Sequence, residues 1–270
     1  EIALCLIGIF FLFSSDWATA QPTEKLKIDT ESHATAVGEY YLENSSRFFV
    51  IANYQRGNEI FGRLGNTPFS ERNLEVGYEH FLKEKWQFGI SYIRYKGANT
   101  GRDDYYKAYG RHNGRIRSLI FSKELSFSFL NEVDEPFLYE HGNNTKVGIS
   151  AYLGKRYKLG NLTMQTGVAY EISRWHESFG DRRTLNETEL SLKHHILLGK
   201  QLVLELFAIR QTQYFFAEES IRFDKDGNIL EQRPYRKLNL FTPIYGISLR
   251  LALNPQKANK ELPFNLWAEK

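Results

Sequence analysis

The chain has 270 residues, 42% of them hydrophobic and 15% aromatic, enough to bury a core as one domain. Its formal net charge of +3 is small and its basic residues are dispersed, which argues against nucleic acid as a partner. Cys5 is the only cysteine, so no disulfide framework is available.

Residues 2–13 form the one long apolar run. At roughly a dozen residues it is shorter than the ~20 that a helical membrane span needs. Ala18-Thr19-Ala20 before Gln21 has the small-x-small pattern that a signal peptidase cleaves, so 1–20 is predicted to be a signal peptide and the chain to be exported. Cys5 then lies in the removed segment, and Leu4 before it is too bulky for a lipid-anchor site. Residues 21–46 show no clear alternation and are predicted to form a periplasmic N-terminal extension.

Residues 47–253 are dominated by period-two alternation, the pattern of strands with one apolar and one polar face. Leu74, Val76 and Tyr78 share one face, and after a turn at 83–85 Trp86, Phe88, Ile90 and Tyr92 return along it. The predicted strands are 47–56, 72–82, 86–96, 113–121, 125–130, 145–153, 161–174, 187–198, 202–216 and 239–253. Placing a turn at Ser122-Lys123-Glu124 makes the connections alternate between long and short. The long ones are 57–70, 97–112, 131–144, 175–186 and 217–238; the short ones are 83–85, 122–124, 154–160 and 199–201. A soluble sandwich alternates too, so the connections decide: long loops at one rim and tight turns at the other is the plan of a membrane barrel. Trp86, Trp175, Tyr214, Phe215 and Phe216 fall at predicted strand ends, where girdle aromatics meet lipid headgroups.

These features together resemble the small outer-membrane β-barrel proteins of Gram-negative bacteria. The resemblance covers 47–253, and Tyr245-Gly246-Ile247-Ser248-Leu249-Arg250-Leu251 is similar to the closing strand of that class, although here a polar tail, 254–270, follows it. It implies an all-β fold, a closed antiparallel up-and-down transmembrane barrel of about ten strands (8 to 12), located in the cell outer membrane. Outer-membrane lipid is the expected partner, with a protein or surface ligand at the long loops.

Inward-facing positions of the predicted strands supply Glu75, Glu79, Arg115, Arg117, Lys146, Glu171, Lys193, His195, Glu205 and Arg250. Charges of both signs in a narrow lumen are expected to pair and close it, because a buried charge without a partner is costly. Glu171, Lys193 and Glu205 are expected to meet across consecutive strands. The expected role is non-enzymatic, structural or surface-binding; the alternatives are a small-solute pore and a lipid or peptide hydrolase at the rim. Catalysis would draw on His176, Glu177 and Ser178 or on Asp103 and Asp104, placed in predicted loops. Adjacent His194 and His195 point to opposite faces of a strand and cannot share one ion, so no metal site and no cofactor is expected.

Overall fold

A computed structural model of the chain describes residues 23–27, 30–43, 46–56, 70–83, 85–96, 102–132, 144–177, 186–217, 220–223, 229–233 and 236–258. The strands are β1 (Thr23–Lys27), β2 (Glu31–Tyr41), β3 (Arg47–Arg56), β4 (Ser70–Lys83), β5 (Trp86–Lys96), β6 (Arg102–Ile116), β7 (Leu119–Glu132), β8 (Asn144–Leu159), β9 (Leu162–Glu177), β10 (Asn186–Leu197), β11 (Leu202–Ala217), β12 (Ser220–Phe223), β13 (Ile229–Arg233) and β14 (Arg236–Leu253).

Eleven of them, β2 to β11 and β14, form one wall. Neighbours in the wall pair antiparallel, and β14 returns to β2 in parallel register from Ile244↔Glu31 to Leu253↔Tyr40. β1 continues that seam upward, Thr23 beside Lys237 to Lys27 beside Phe241. The closed all-β barrel expected from the alternation is therefore present, with one parallel joint. β12 and β13 make a separate hairpin inside the connection from β11 to β14.

The connections alternate around the wall. Those at 42–46, 84–85, 117–118, 160–161 and 198–201 lie at one rim; those at 57–69, 97–101, 133–143, 178–185 and 218–235 lie at the other. Alternation survives even where the strands differ from expectation. The chain does not turn at 122–124 but at Arg117 and Ser118, with Arg117 at φ 58. Residues 102–112, expected to be loop, belong to β6, and the turn expected over 154–160 tightens to 160–161.

The larger correction concerns 21–46. Glu31–Tyr41 is not an extension but the strand that closes the barrel, so the wall runs from 31 to 253. Outward positions of β2 before Tyr40 are Ser32, Ala34, Ala36 and Gly38, too small to give the apolar beat that marks the other strands. Because β2 and β14 run the same way, the chain enters the wall at one rim and leaves it at the other.

The wall is apolar outside and polar inside. Phe48, Val50, Leu74, Val76, Ile90, Phe127, Ile149, Leu153, Val168, Leu192, Leu249 and Leu251 are all exposed on its outer face. Glu39, Arg47, Glu79, Gln87, Asn113, Gln165, Glu187 and His195 are buried on its inner face. A water-soluble barrel has the opposite arrangement, because burying polar groups while exposing apolar ones in water is unfavourable on both counts.

Candidate functional site: the sealed lumen

Strand parity decides which side chains enter the lumen, since successive residues alternate between faces. In the half of the barrel nearer the tight turns, every wall strand contributes to one polar layer. At its centre is Glu79 of β4, with 0% of its surface exposed. Its carboxylate accepts hydrogen bonds from Arg47 of β3, Gln87 of β5, and Tyr109 and Arg111 of β6. Arg47 also pairs with Glu39 of β2, and Glu39 accepts from Arg250 of β14 at 2.6 Å, across the parallel seam. On the other side Arg111 reaches Glu124 of β7 at 2.6 Å, and Lys107 joins it at 3.2 Å. Charge-assisted bonds thus link seven consecutive strands, from β14 through β2 to β7.

Strands β8 to β11 complete the layer with further contacts. Arg156 donates to the Gln165 amide oxygen at 3.1 Å, and Gln165 donates to the Tyr152 hydroxyl at 2.8 Å. His195 and Glu205 are 2.6 Å apart. Aromatic rings fill the places where inward glycines leave room: Tyr109 lies over Gly89, Phe49 over Gly77, Phe207 over Gly246, and Tyr152 over Gly154 and Gly167.

Below this layer an apolar cluster of Tyr41, Phe81, Leu197, Val203, Ala252 and Ala258 closes the tight-turn mouth. Ala258 follows the short 3-10 helix Pro255–Lys257, which Lys257 ties to Glu43, so the start of the tail folds under the barrel. Above the layer lies a polar cavity of about 200 Å³, lined in part by Arg111, Glu124, Glu171, Glu189 and Lys193. Lys146 meets Glu187 at 3.0 Å in this upper half, and Gln211 donates to Glu187 and Glu189.

Glu79, Lys146, His195, Glu205 and Arg250 of the predicted set thus make direct side-chain contacts with charged or polar partners inside the lumen. Glu75 faces inward, half-buried, above the layer, and Glu171 and Lys193 line the cavity. Of the trio Glu171, Lys193 and Glu205, Glu205 lies opposite His195 and contacts it directly, while Lys193 lies opposite Gly167 and Phe207 and lines the cavity together with Glu171. Arg115 and Arg117 are not in the lumen network. Both are exposed at the tight turn, where the Arg115 Nε donates to the Arg117 carbonyl at 2.8 Å. Glu39, Arg47, Lys107, Arg111, Glu124 and Glu187 belong to the network and were not expected there.

Asp103 and Asp104 sit on β6 rather than in a loop and face opposite sides of the wall, so they cannot act together on one group. Asp104 points outward and accepts from Tyr92 at 2.7 Å and Arg94 at 3.3 Å. His176 and Glu177 close β9, but their side chains, like the whole of Ser178, lie outside the described residues. Among the described residues no three of His, Cys, Asp or Glu come together as metal ligands.

No family model matches the chain, and no curated protein matches it. Among solved structures it is similar to one described as a bacterial polysaccharide outer membrane secretin, at a TM-score of 0.45 and 10% identity over 79% of this chain and 67% of that one.

Proposed function

We propose that this chain is an integral β-barrel of a Gram-negative outer membrane, sealed at its tight-turn half, and that it acts through its long loops at the cell surface rather than as an open pore or an enzyme. The observation that carries the membrane assignment is the inside-out wall: an apolar outer face on a sheet with no free edge. In lipid every backbone donor and acceptor must be paired within the structure, and closure achieves that.

Occlusion is supported by burial. Water filling a channel would touch the inward side chains, yet Glu79, Gln87, Asn113, Gln165 and His195 are all at 0% exposure. The long loops are read as facing outward from the cell, with the tight turns in the periplasm. Loops of this length at one rim suit the binding of a protein or surface ligand.

Refolding into phosphatidylcholine vesicles tests the assignment. The barrel should acquire protected, heat-modifiable β-structure and give no stable current across a planar bilayer. Leu192→Arg, at a lipid-facing position, should lower its stability by about 2–4 kcal/mol near the midplane. A chain that stays soluble and folded without lipid or detergent would overturn the assignment, and a stable current would overturn the sealed lumen.

A further inference from the structure

We infer that the outer face of β3 to β5, at the long-loop rim, binds the phosphorylated headgroup of a membrane lipid. Resting on the membrane assignment above, the inference follows from charges the lumen does not use. Arg72 of β4 and Lys96 of β5 are directly opposite each other in the sheet and both point outward. Cross-strand partners sit about 5 Å apart at Cβ, and like charges so placed destabilise a sheet. Among the described residues neither has a carboxylate partner. Arg94, one step further down β5, is held by Tyr92 and by Asp104. Arg56 adds a further exposed outward cation at the end of β3.

The three cations Arg72, Arg94 and Lys96 border a groove of about 570 Å³ whose floor is Ala34, Ala36 and Ala52, with Tyr54 and Leu74 along its sides. Below it on β4 and β5 the outward residues are Val76, Tyr78, Ile90 and Phe88. The cations therefore stand where the apolar band ends, at the depth of headgroup phosphates, with a depression beneath them wide enough for an acyl chain. An anion placed between Arg72 and Lys96 turns their repulsion into two attractions, and a lipid brings its chain into the groove at the same time. A free phosphate would satisfy only the first half of this arrangement.

The protein, refolded in dodecyl maltoside, would be titrated with dioleoyl phosphatidic acid or dioleoyl phosphatidylcholine and the bound lipid read by native mass spectrometry. The unaltered barrel should retain phosphatidic acid about tenfold more strongly. Arg72→Gln with Lys96→Gln should abolish that preference, and Lys96→Gln alone should weaken it if the double variant does not fold. Ala52→Trp, which fills the floor and leaves the cations in place, should also weaken retention of phosphatidic acid, whereas inorganic phosphate should compete poorly. Lys123→Gln with Lys155→Gln, outward at the opposite rim, should change nothing. Equal retention of both lipids, an equal loss in the opposite-rim control, or no effect of Ala52→Trp overturns the site. A chain that never forms heat-modifiable β-structure in micelles or vesicles overturns the membrane assignment instead, which is a separate result.

Discussion

At the scale of single residues, Glu79 and Glu75 look alike in sequence: both are inward acids on one strand, four residues apart. The structure separates them. Glu79 is enclosed and bonded to four side chains from β3, β5 and β6, whereas Glu75 is half-buried above the layer. Removing one member of a buried charged network leaves its partners desolvated and unpaired, at a cost of about 3–5 kcal/mol. Glu79→Leu should therefore lower the urea midpoint of the vesicle-inserted barrel by that amount, and Glu75→Leu by less than about 1 kcal/mol. Equal effects at the two positions would show that the two acids are energetically equivalent. Alternation could identify Glu79, His195, Glu205 and Arg250 as inward because strong apolar neighbours fixed the parity of their strands. It could not distinguish the central acid from the peripheral one, since that depends on which cations neighbouring strands bring to the same height.

At the scale of elements, sequence and structure part at β2, at β6 and at the start of β7, and the first two departures share a cause. Both carry runs of small residues on the outer face, Ala34, Ala36 and Gly38 before Tyr40 on β2 and Ala108 and Gly110 after Tyr106 on β6, while their inner faces carry Glu39, Lys107, Arg111 and Asn113. A strand that is polar on one side and small on the other has no hydrophobic period to detect. Three unexpected members of the charge network, Glu39, Lys107 and Arg111, come from segments read as extension or loop for this reason; Glu124 comes from 122–124, read as a turn although β7 runs through it with Leu119, Leu125 and Phe127 on its outer face. Glu187 and Arg47 lay in predicted strands and were legible by parity. The consequence for β2 is direct: deleting 23–41, which an extension would tolerate, should leave β3 and β14 with open edges and remove Glu39 from between Arg47 and Arg250. No heat-modifiable species should form in vesicles from the deleted chain. A deleted chain that still folds to a protease-resistant barrel would show that β2 is dispensable to closure.

At the scale of the whole molecule, an odd strand count sets where the chain ends lie. In an even wall of antiparallel strands the first and last strands run in opposite directions and both ends emerge at one rim. Eleven strands force β2 and β14 to run parallel, so the chain enters the wall at the long-loop rim and leaves it at the tight-turn rim. Arg250 and Glu39, at 2.6 Å across this seam, support a joint whose slanted hydrogen bonds are slightly weaker per residue than those of antiparallel neighbours. The placement can be tested with single cysteines, because the chain from residue 21 onward contains none. Thr30→Cys lies between β1 and β2, on the long-loop side of β2, while Lys200→Cys and Lys257→Cys lie at the tight-turn rim. A membrane-impermeant maleimide added to vesicles of biased orientation should label Lys200→Cys and Lys257→Cys to the same extent and Thr30→Cys to the complementary extent. Opening the vesicles should bring all three to completion. If Thr30→Cys tracked Lys257→Cys instead, the two ends would share a rim, the wall would contain an even number of strands, and the parallel seam between β2 and β14 would have to be abandoned.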